Sequence, residues 1–148
     1  MSIGLHHLTD TQVIGCNYRA ISDARRKDPD CEQKHQIVRR GDLLSALGSI
    51  FYEDSKQGYV NLPIEKMAGL ILHRIAEGQF FLDGNKRTAL LSCFYFLQNN
   101  GYTLRIDQGK INDLLWEFGL DPLTQKRKYT EDDAIQYIMD NIMPRTRA

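Results

Sequence analysis

The segment that most constrains the fold is the run at residues 88–100, TALLSCFYFLQNN, which is apolar on nearly every side of its predicted helix. A helix without a polar face has no side to present to water, so it belongs in the centre of a bundle. Gly101 is suited to closing this helix, because glycine readily adopts the left-handed conformation that follows a helix end. The chain therefore needs other helices to surround this one.

Two helices are predicted before residue 54. Thr9 and Gln12 form a capping-box pattern, so a helix should begin there and continue to about Ala24. The polar stretch 25–36 is interpreted as a loop. Asp42 can cap a second helix, which apolar residues on one face extend to about Glu53.

Further helices are predicted after a break at residues 54–63. Pro63 suits the first position of a helix that ends near Gly78. Residues 110–118 and 131–142 are amphipathic, and Thr130 can cap the second of these segments. Residues 102–106 are expected to be extended. The chain, residues 1–148, is thus predicted to be an all-α, single-domain bundle of about six helices.

Composition argues against several classes of function. The 19 basic and 19 acidic residues cancel, which disfavours a general binder of nucleic acid or membrane surfaces. No apolar run reaches the ~20 residues of a spanning helix, and the first twenty residues lack the apolar core of a signal peptide. The three cysteines fit neither a disulfide framework nor a zinc pattern. We therefore expect a cytoplasmic protein without a membrane or a direct nucleic-acid partner.

The turn before the central helix, Asp83-Gly84-Asn85-Lys86-Arg87, has the chemistry of a phosphate site. Gly84 lets a ligand approach the backbone, and the helix start offers unpaired N–H groups and a partial positive charge. The Asn85 amide can donate a hydrogen bond, Lys86 is a point charge, and the Arg87 guanidinium matches phosphate oxygens. The Asp83 carboxylate can hold Mg²⁺ against such phosphates.

Two other interpretations of this turn have to be weighed. A Walker A loop needs contiguous Gly-Lys-[Ser/Thr] after a β-strand, whereas here Asn85 and Arg87 intrude and a helix precedes, so we reject it. The second is a capped helix whose charged first turn is only solvated. The turn by itself leaves that alternative open.

At these residues the sequence resembles the Fic/Doc proteins. Their signature reads His-x-Phe-x-[Asp/Glu]-Gly-Asn-[Gly/Lys]-Arg, and residues 79–87 here read QFFLDGNKR. Lys86, followed by Thr88-Ala89, is similar to the death-on-curing (Doc) toxin branch. The similarity covers roughly residues 9–142 and includes the segments GDLLSALGSIFYE, GLILHRIAEG and SCFYFLQNNGYTL.

The resemblance implies an all-α fold and transfer of an AMP or phosphoryl group from a nucleotide, here ATP, to a hydroxyl of a target protein. It implies that Asp83 holds Mg²⁺ and that Phe81 anchors the loop in the core. Lys86 would crowd the usual nucleotide pose, which in Doc-like members goes with phosphorylation instead of adenylylation. The residues implied to bind nucleotide phosphates are Gly84, Asn85, Lys86 and Arg87.

The resemblance also implies two protein partners. A small hairpin-like flap would hold an extended segment of the target by strand pairing. The flap residues would be Lys56, Gln57, Gly58, Tyr59 and Val60. Residues 49–54 match the inhibitory helix of some members only in part, so we expect a separate antitoxin, with this chain as the toxin of the pair.

Gln79 departs from the signature at the position of its general-base histidine. A glutamine amide can orient the target hydroxyl but cannot deprotonate it, and general-base catalysis is typically worth ~10²–10⁴ in rate. His73 is expected to pack in the bundle and not to replace the base. We therefore expect nucleotide binding with impaired transfer, the alternative being a non-catalytic module that binds a nucleotide or a partner. The glutamine is either natural or introduced, and the intact phosphate-site residues favour the second explanation.

Overall fold

A computed structural model describes residues 5–57, 62–105 and 130–145, in which five α-helices and two short strands occur. The predicted all-α fold is confirmed. The strands β1 (Tyr102–Leu104) and β2 (Ile142–Pro144) pair antiparallel. The helices are α1 (Asp10–Lys27), α2 (Arg40–Gln57), α3 (Ile64–Gly78), α4 (Asn85–Asn99) and α5 (Glu131–Asn141).

Helix α4 lies in the core of the bundle, as its apolar composition predicts. It packs against α3 and α1, and α3 packs in turn against α5. Cys93, Phe96 and Leu97 on α4 are at most 1% exposed, whereas Tyr95 is 41% exposed and gives the helix one side toward solvent. Among the described helices, none combines the length and the apolar content that crossing a membrane requires.

Helix α1 begins as predicted and ends later. The Thr9 hydroxyl accepts from the Gln12 N–H at 3.2 Å, and Gln12 Oε1 accepts from the Thr9 N–H at 2.9 Å. The helix continues past Ala24 to Lys27, because the basic residues of its last turn interact favourably with the negative end of the helix dipole. The predicted loop at residues 25–36 was therefore wrong for its first three positions.

Helix α2 extends beyond its predicted bounds at both ends. It begins at Arg40, whose guanidinium binds Asp10 at 2.8 and 3.0 Å and so joins the starts of α1 and α2. It extends to Gln57, four residues beyond the predicted end near Glu53. Lys56 and Gln57 thus belong to a helix. The rest of the predicted flap, Gly58, Tyr59 and Val60, lies outside the described residues.

The chain after α4 forms the two-stranded sheet. Residues 102–104 are extended, as predicted, and Leu104 pairs with Ile142. Ile142 was predicted as the last residue of a helix, but α5 ends at Asn141. Pro144 contributes to the difference, because helices usually end at or before the residue that precedes a proline, and Ile142 pairs with Leu104 instead. The cap by Thr130 is confirmed, whereas the predicted helix at residues 110–118 lies outside the described part of the chain.

Gly69 allows α3 and α5 to approach closely. A Cβ atom placed on Gly69 would lie 2.6 Å from the Cα atom of Ile135 on α5. We expect Gly69→Ala to lower the free energy of unfolding by about 1–3 kcal/mol, since the two helices must separate to admit a methyl group. Urea unfolding measures this loss. The matched control is Gly15→Ala on α1, where nothing lies within 4 Å, and alanine there should stabilise by up to about 1 kcal/mol.

Candidate active site

The signature residues lie between the two helices α3 and α4. We call residues 79–84 the motif loop; Gln79 follows the end of α3, and Gly84 precedes the start of α4. Both residues adopt left-handed backbone conformations, with φ of 53° at Gln79 and 78° at Gly84. Phe81 is 2% exposed and packs in the core. The anchoring role expected of Phe81 requires such a buried position. Asp83 is partly exposed at the end of the loop.

A short extended segment before α2 fixes the outer edge of the motif loop. The N–H groups of Val38 and Arg39 both donate to the Phe80 carbonyl, at 2.8 and 3.2 Å. The Leu82 N–H donates to the Gln36 carbonyl at 2.9 Å. This pairing was not predicted, although the β-branched pair at residues 37–38 after a polar stretch was a signal for it.

The side chain of Asn85 forms hydrogen bonds to residues of the motif loop. Its Oδ1 accepts from the Phe81 N–H at 3.0 Å, and its Nδ2 donates to the Phe81 carbonyl at 2.9 Å and to Gln79 Oε1 at 3.4 Å. The residue is 8% exposed. In this conformation its amide holds the loop closed, and the phosphate contact expected of the Asn85 side chain stays a prediction.

The start of α4 has the polarity of an anion site. The Thr88 N–H donates to the Gly84 carbonyl at 2.9 Å and closes the first turn. The N–H groups before Thr88 have no acceptor within the helix, and Gly84 supplies no side-chain cap. Lys86 and Arg87 add two cations to this turn, and the ion pairs between described residues do not involve Arg87.

The backbone at Gly84 requires glycine. Its φ of 78° strains any residue with a side chain, and a Cβ atom there would lie 3.0 Å from Ile21 Cδ1 of α1. The turn is therefore pressed against α1. This close contact keeps the bend between the motif loop and α4 tight.

A buried asparagine of α1 joins the loop to α4. Asn17 is fully buried, and its Nδ2 donates to the Asp83 carbonyl at 2.8 Å and to the Thr88 hydroxyl at 3.0 Å. Its Oδ1 lies 2.6 Å from His35 Nδ1. The Asp83 carboxylate is held separately, because its Oδ2 accepts from the Lys34 N–H at 2.9 Å. None of Asn17, Lys34 and His35 was predicted to belong to the site; the available signal was Asn17, a polar residue on the apolar face of α1.

The donor set fits a magnesium ion that is shared with a nucleotide. The described residues contain no cluster of three or more side chains of the types His, Cys, Asp and Glu that could hold a metal ion. Mg²⁺ keeps several waters and is commonly bound through one or two carboxylates together with substrate phosphates. Asp83 alone can supply the protein ligand of such an ion.

A cleft of about 610 Å³ adjoins the Gln79 end of the loop, where Gly78 and Phe80 line it. His73, which also lines the cleft, is 5% exposed, and its Nε2 lies 3.0 Å from Glu77 Oε2. The expectation that His73 packs in the bundle is therefore confirmed. Arg39 donates to the Gly78 carbonyl at 2.7 Å, so the wall of the cleft is tied to the end of α3.

Two of the cysteines are poor nucleophiles. Burial raises the pKa of the Cys93 thiol to about 12. Burial also raises the pKa of the Cys16 thiol, against the opposing effects of a Ser92 hydrogen bond and of Arg19. Both residues are therefore protonated thiols at neutral pH.

Comparison with known proteins agrees with this geometry. A model of the Fic/DOC family matches residues 8–97, more than half of the 148 residues, from just before α1 to near the end of α4. The match includes the whole motif loop and the start of α4. A search of curated proteins gave no match to the chain. The chain therefore belongs to the Fic/DOC family, whose members are transferases that move AMP or phosphoryl groups.

Proposed function

We propose that this protein is the toxin of a toxin–antitoxin module and transfers a phosphoryl or AMP group from ATP to a hydroxyl of a target protein. We further propose that Gln79 leaves this form able to bind ATP and nearly unable to transfer. One observation carries the proposal. Asp83 at the end of the motif loop lies next to Lys86 and Arg87 in the first turn of α4, while the base position holds the amide of Gln79.

The start of α4 supports the proposed binding of the nucleotide phosphates. The first N–H groups of this helix have no acceptor within it, its positive dipole end attracts anions, and Lys86 and Arg87 add charge on the same turn. Mg²⁺ on Asp83 would neutralise part of the phosphate charge. Since these groups need no proton transfer to act, glutamine at position 79 leaves binding unaffected.

Transfer requires more than binding. The target oxygen forms a bond to phosphorus and the bond to the leaving group breaks; ADP leaves in phosphorylation, and pyrophosphate leaves in AMP transfer. The proton of the hydroxyl must go to a base as this happens. Gln79 is exposed at the end of α3, where its side chain can meet a hydroxyl, but an amide takes no proton. His73 is buried beside Glu77 and does not replace it.

The nature of the transferred group can be tested with labelled ATP. The Gln79→His protein is incubated with lysate, Mg²⁺ and ATP that is labelled at the γ or the α phosphate. Label from γ-ATP on a protein band indicates phosphorylation, which we expect from Lys86, and label from α-ATP indicates AMP transfer. If neither label is transferred, the proposed transferase activity is wrong.

The amide at position 79 also favours a second candidate, a non-catalytic module that binds a nucleotide or a partner. This candidate predicts that both the encoded protein and its Gln79→His variant bind ATP without turnover. Antitoxin binding separates the candidates further. If expression of the protein arrests growth and a co-expressed antitoxin relieves the arrest, the transferase toxin is supported. If neither the encoded protein nor its Gln79→His variant affects growth, the non-catalytic module is supported.

A further inference from the structure

We infer that Asn17 of α1 is a positioning residue for the motif loop, and that it fixes the tautomer of His35. The loop-holding role stands on the contacts of the encoded protein. Its effect on nucleotide affinity rests, in addition, on the proposed function.

The burial of Asn17 indicates that its amide has a specific task. The residue is fully buried in the middle of α1, where an apolar side chain would pack without cost. Burying an amide is unfavourable unless it forms hydrogen bonds. Its Nδ2 donates both of its protons, one to the Asp83 carbonyl and one to the Thr88 hydroxyl. These acceptors lie on either side of Gly84, so one side chain joins the end of the motif loop to the first turn of α4.

Asn17 therefore sets the position of the proposed metal ligand. Asp83 is held at two points, by Asn17 at its carbonyl and by the Lys34 N–H at its carboxylate. Without the hydrogen bond from Asn17, the backbone of Asp83 is free to move. The Asp83 carboxylate can then rotate while it still accepts from the Lys34 N–H. The N–H groups at the start of α4 lose their alignment with the carboxylate in the same movement.

The same side chain determines which nitrogen of His35 carries the proton. Because Asn17 Nδ2 must face the Asp83 carbonyl, Oδ1 is the atom that faces His35 Nδ1 at 2.6 Å. An amide oxygen only accepts, so Nδ1 must donate. In the neutral ring Nε2 then holds the lone pair. Tyr18 packs edge-on against the ring at 5.4 Å and limits its rotation.

The first test measures affinity for ATP with and without Mg²⁺. We expect Asn17→Ala to weaken Mg²⁺-ATP binding about tenfold, and to have a smaller effect without Mg²⁺, because Asp83 acts through the ion. The matched control is Val13→Ala, which truncates an equally buried residue one turn earlier on α1. It should lower the melting temperature without changing the affinity. Equal losses of affinity in both variants would reduce Asn17 to a core residue and overturn the inference.

A second variant covers the case in which Asn17→Ala does not fold. Asn17→Asp keeps the shape of the side chain and the acceptor for His35, but it places an oxygen against the Asp83 carbonyl. We expect this variant to lose Mg²⁺-ATP affinity about tenfold as well. Unchanged affinity would mean that the bond to Asp83 does not position the loop.

The second test does not depend on nucleotide binding. Nitrogen-15 NMR of the encoded protein, at a pH where the His35 ring is neutral, should show the proton on Nδ1. Amide hydrogen exchange at Leu82 and Thr88, whose N–H groups donate to the Gln36 and Gly84 carbonyls, should be about tenfold faster in Asn17→Ala and unchanged in Val13→Ala. If the encoded protein binds no ATP, the proposed function fails while these measurements still decide the inference. A proton on Nε2, together with unchanged exchange, would overturn it.

Discussion

Gln79→His should raise the rate of transfer from ATP to the target protein by about 10²–10⁴-fold, the usual contribution of a general base. Histidine can take the proton of the target hydroxyl at neutral pH, which the amide of Gln79 cannot do. The backbone also favours the exchange. Gln79 has a left-handed φ of 53°, and histidine is among the residues that tolerate this conformation better than most. The rate is measured as label transferred to lysate protein per unit time.

Gln79→Asn is the matched control for this gain. Asparagine also tolerates the left-handed conformation, and like glutamine it has an amide that takes no proton. The rate should therefore stay near that of the encoded protein. Equal gains in the histidine and asparagine variants would mean that the backbone at residue 79 limits the reaction, and a lack of gain in both would contradict the assignment of Gln79 to the base position.

Arg87→Ala should weaken binding of Mg²⁺-ATP by about 10- to 100-fold, the range expected for loss of a hydrogen bond to a charged group. Arg87 lies in the first turn of α4, where its planar guanidinium can bind two phosphate oxygens at once. The affinity is measured by calorimetry on the encoded protein, in which we expect transfer to be too slow to consume ATP during the titration.

Arg87→Lys separates the charge of this residue from its geometry. Lysine retains the positive charge but presents a single ammonium group and not a planar fork, so part of the affinity should remain. Arg26→Ala, in the last turn of α1, removes an exposed arginine that pairs with Asp23 and should leave the affinity unchanged. If Arg87→Ala binds as tightly as the encoded protein, the start of α4 is not the phosphate site.

Most of the helical framework could be predicted because it depends on local rules. The capping residues Thr9 and Thr130 start α1 and α5 in the structure as they do in the sequence pattern. The composition of α4 alone indicated its place in the core. The ends of α2 were predicted less well, since no local signal stops that helix before Gly58 and a contact with α1 helps to start it.

The contacts that hold the candidate site could not be predicted, because they join residues far apart in the chain. Asn17 and Asp83 are separated by most of three helices, and no local pattern indicates that they meet. The pairing of residues 36–39 was not predicted, because the partner of this segment is the motif loop and not a neighbouring strand. Asn85 is a further example of a contact that could not be predicted. Its side chain could bind a phosphate, but in the structure it forms hydrogen bonds with the Phe81 backbone.

The central claim is that the encoded protein binds Mg²⁺-ATP and does not transfer from it. It is tested most directly by titrating the encoded and Gln79→His proteins with Mg²⁺-ATP, and then following label transfer to lysate protein in the same preparations. We predict affinities within a factor of about three, and transfer at least 100-fold faster in the histidine variant. Absence of ATP binding by the encoded protein, or equal transfer by the two proteins, would contradict the account.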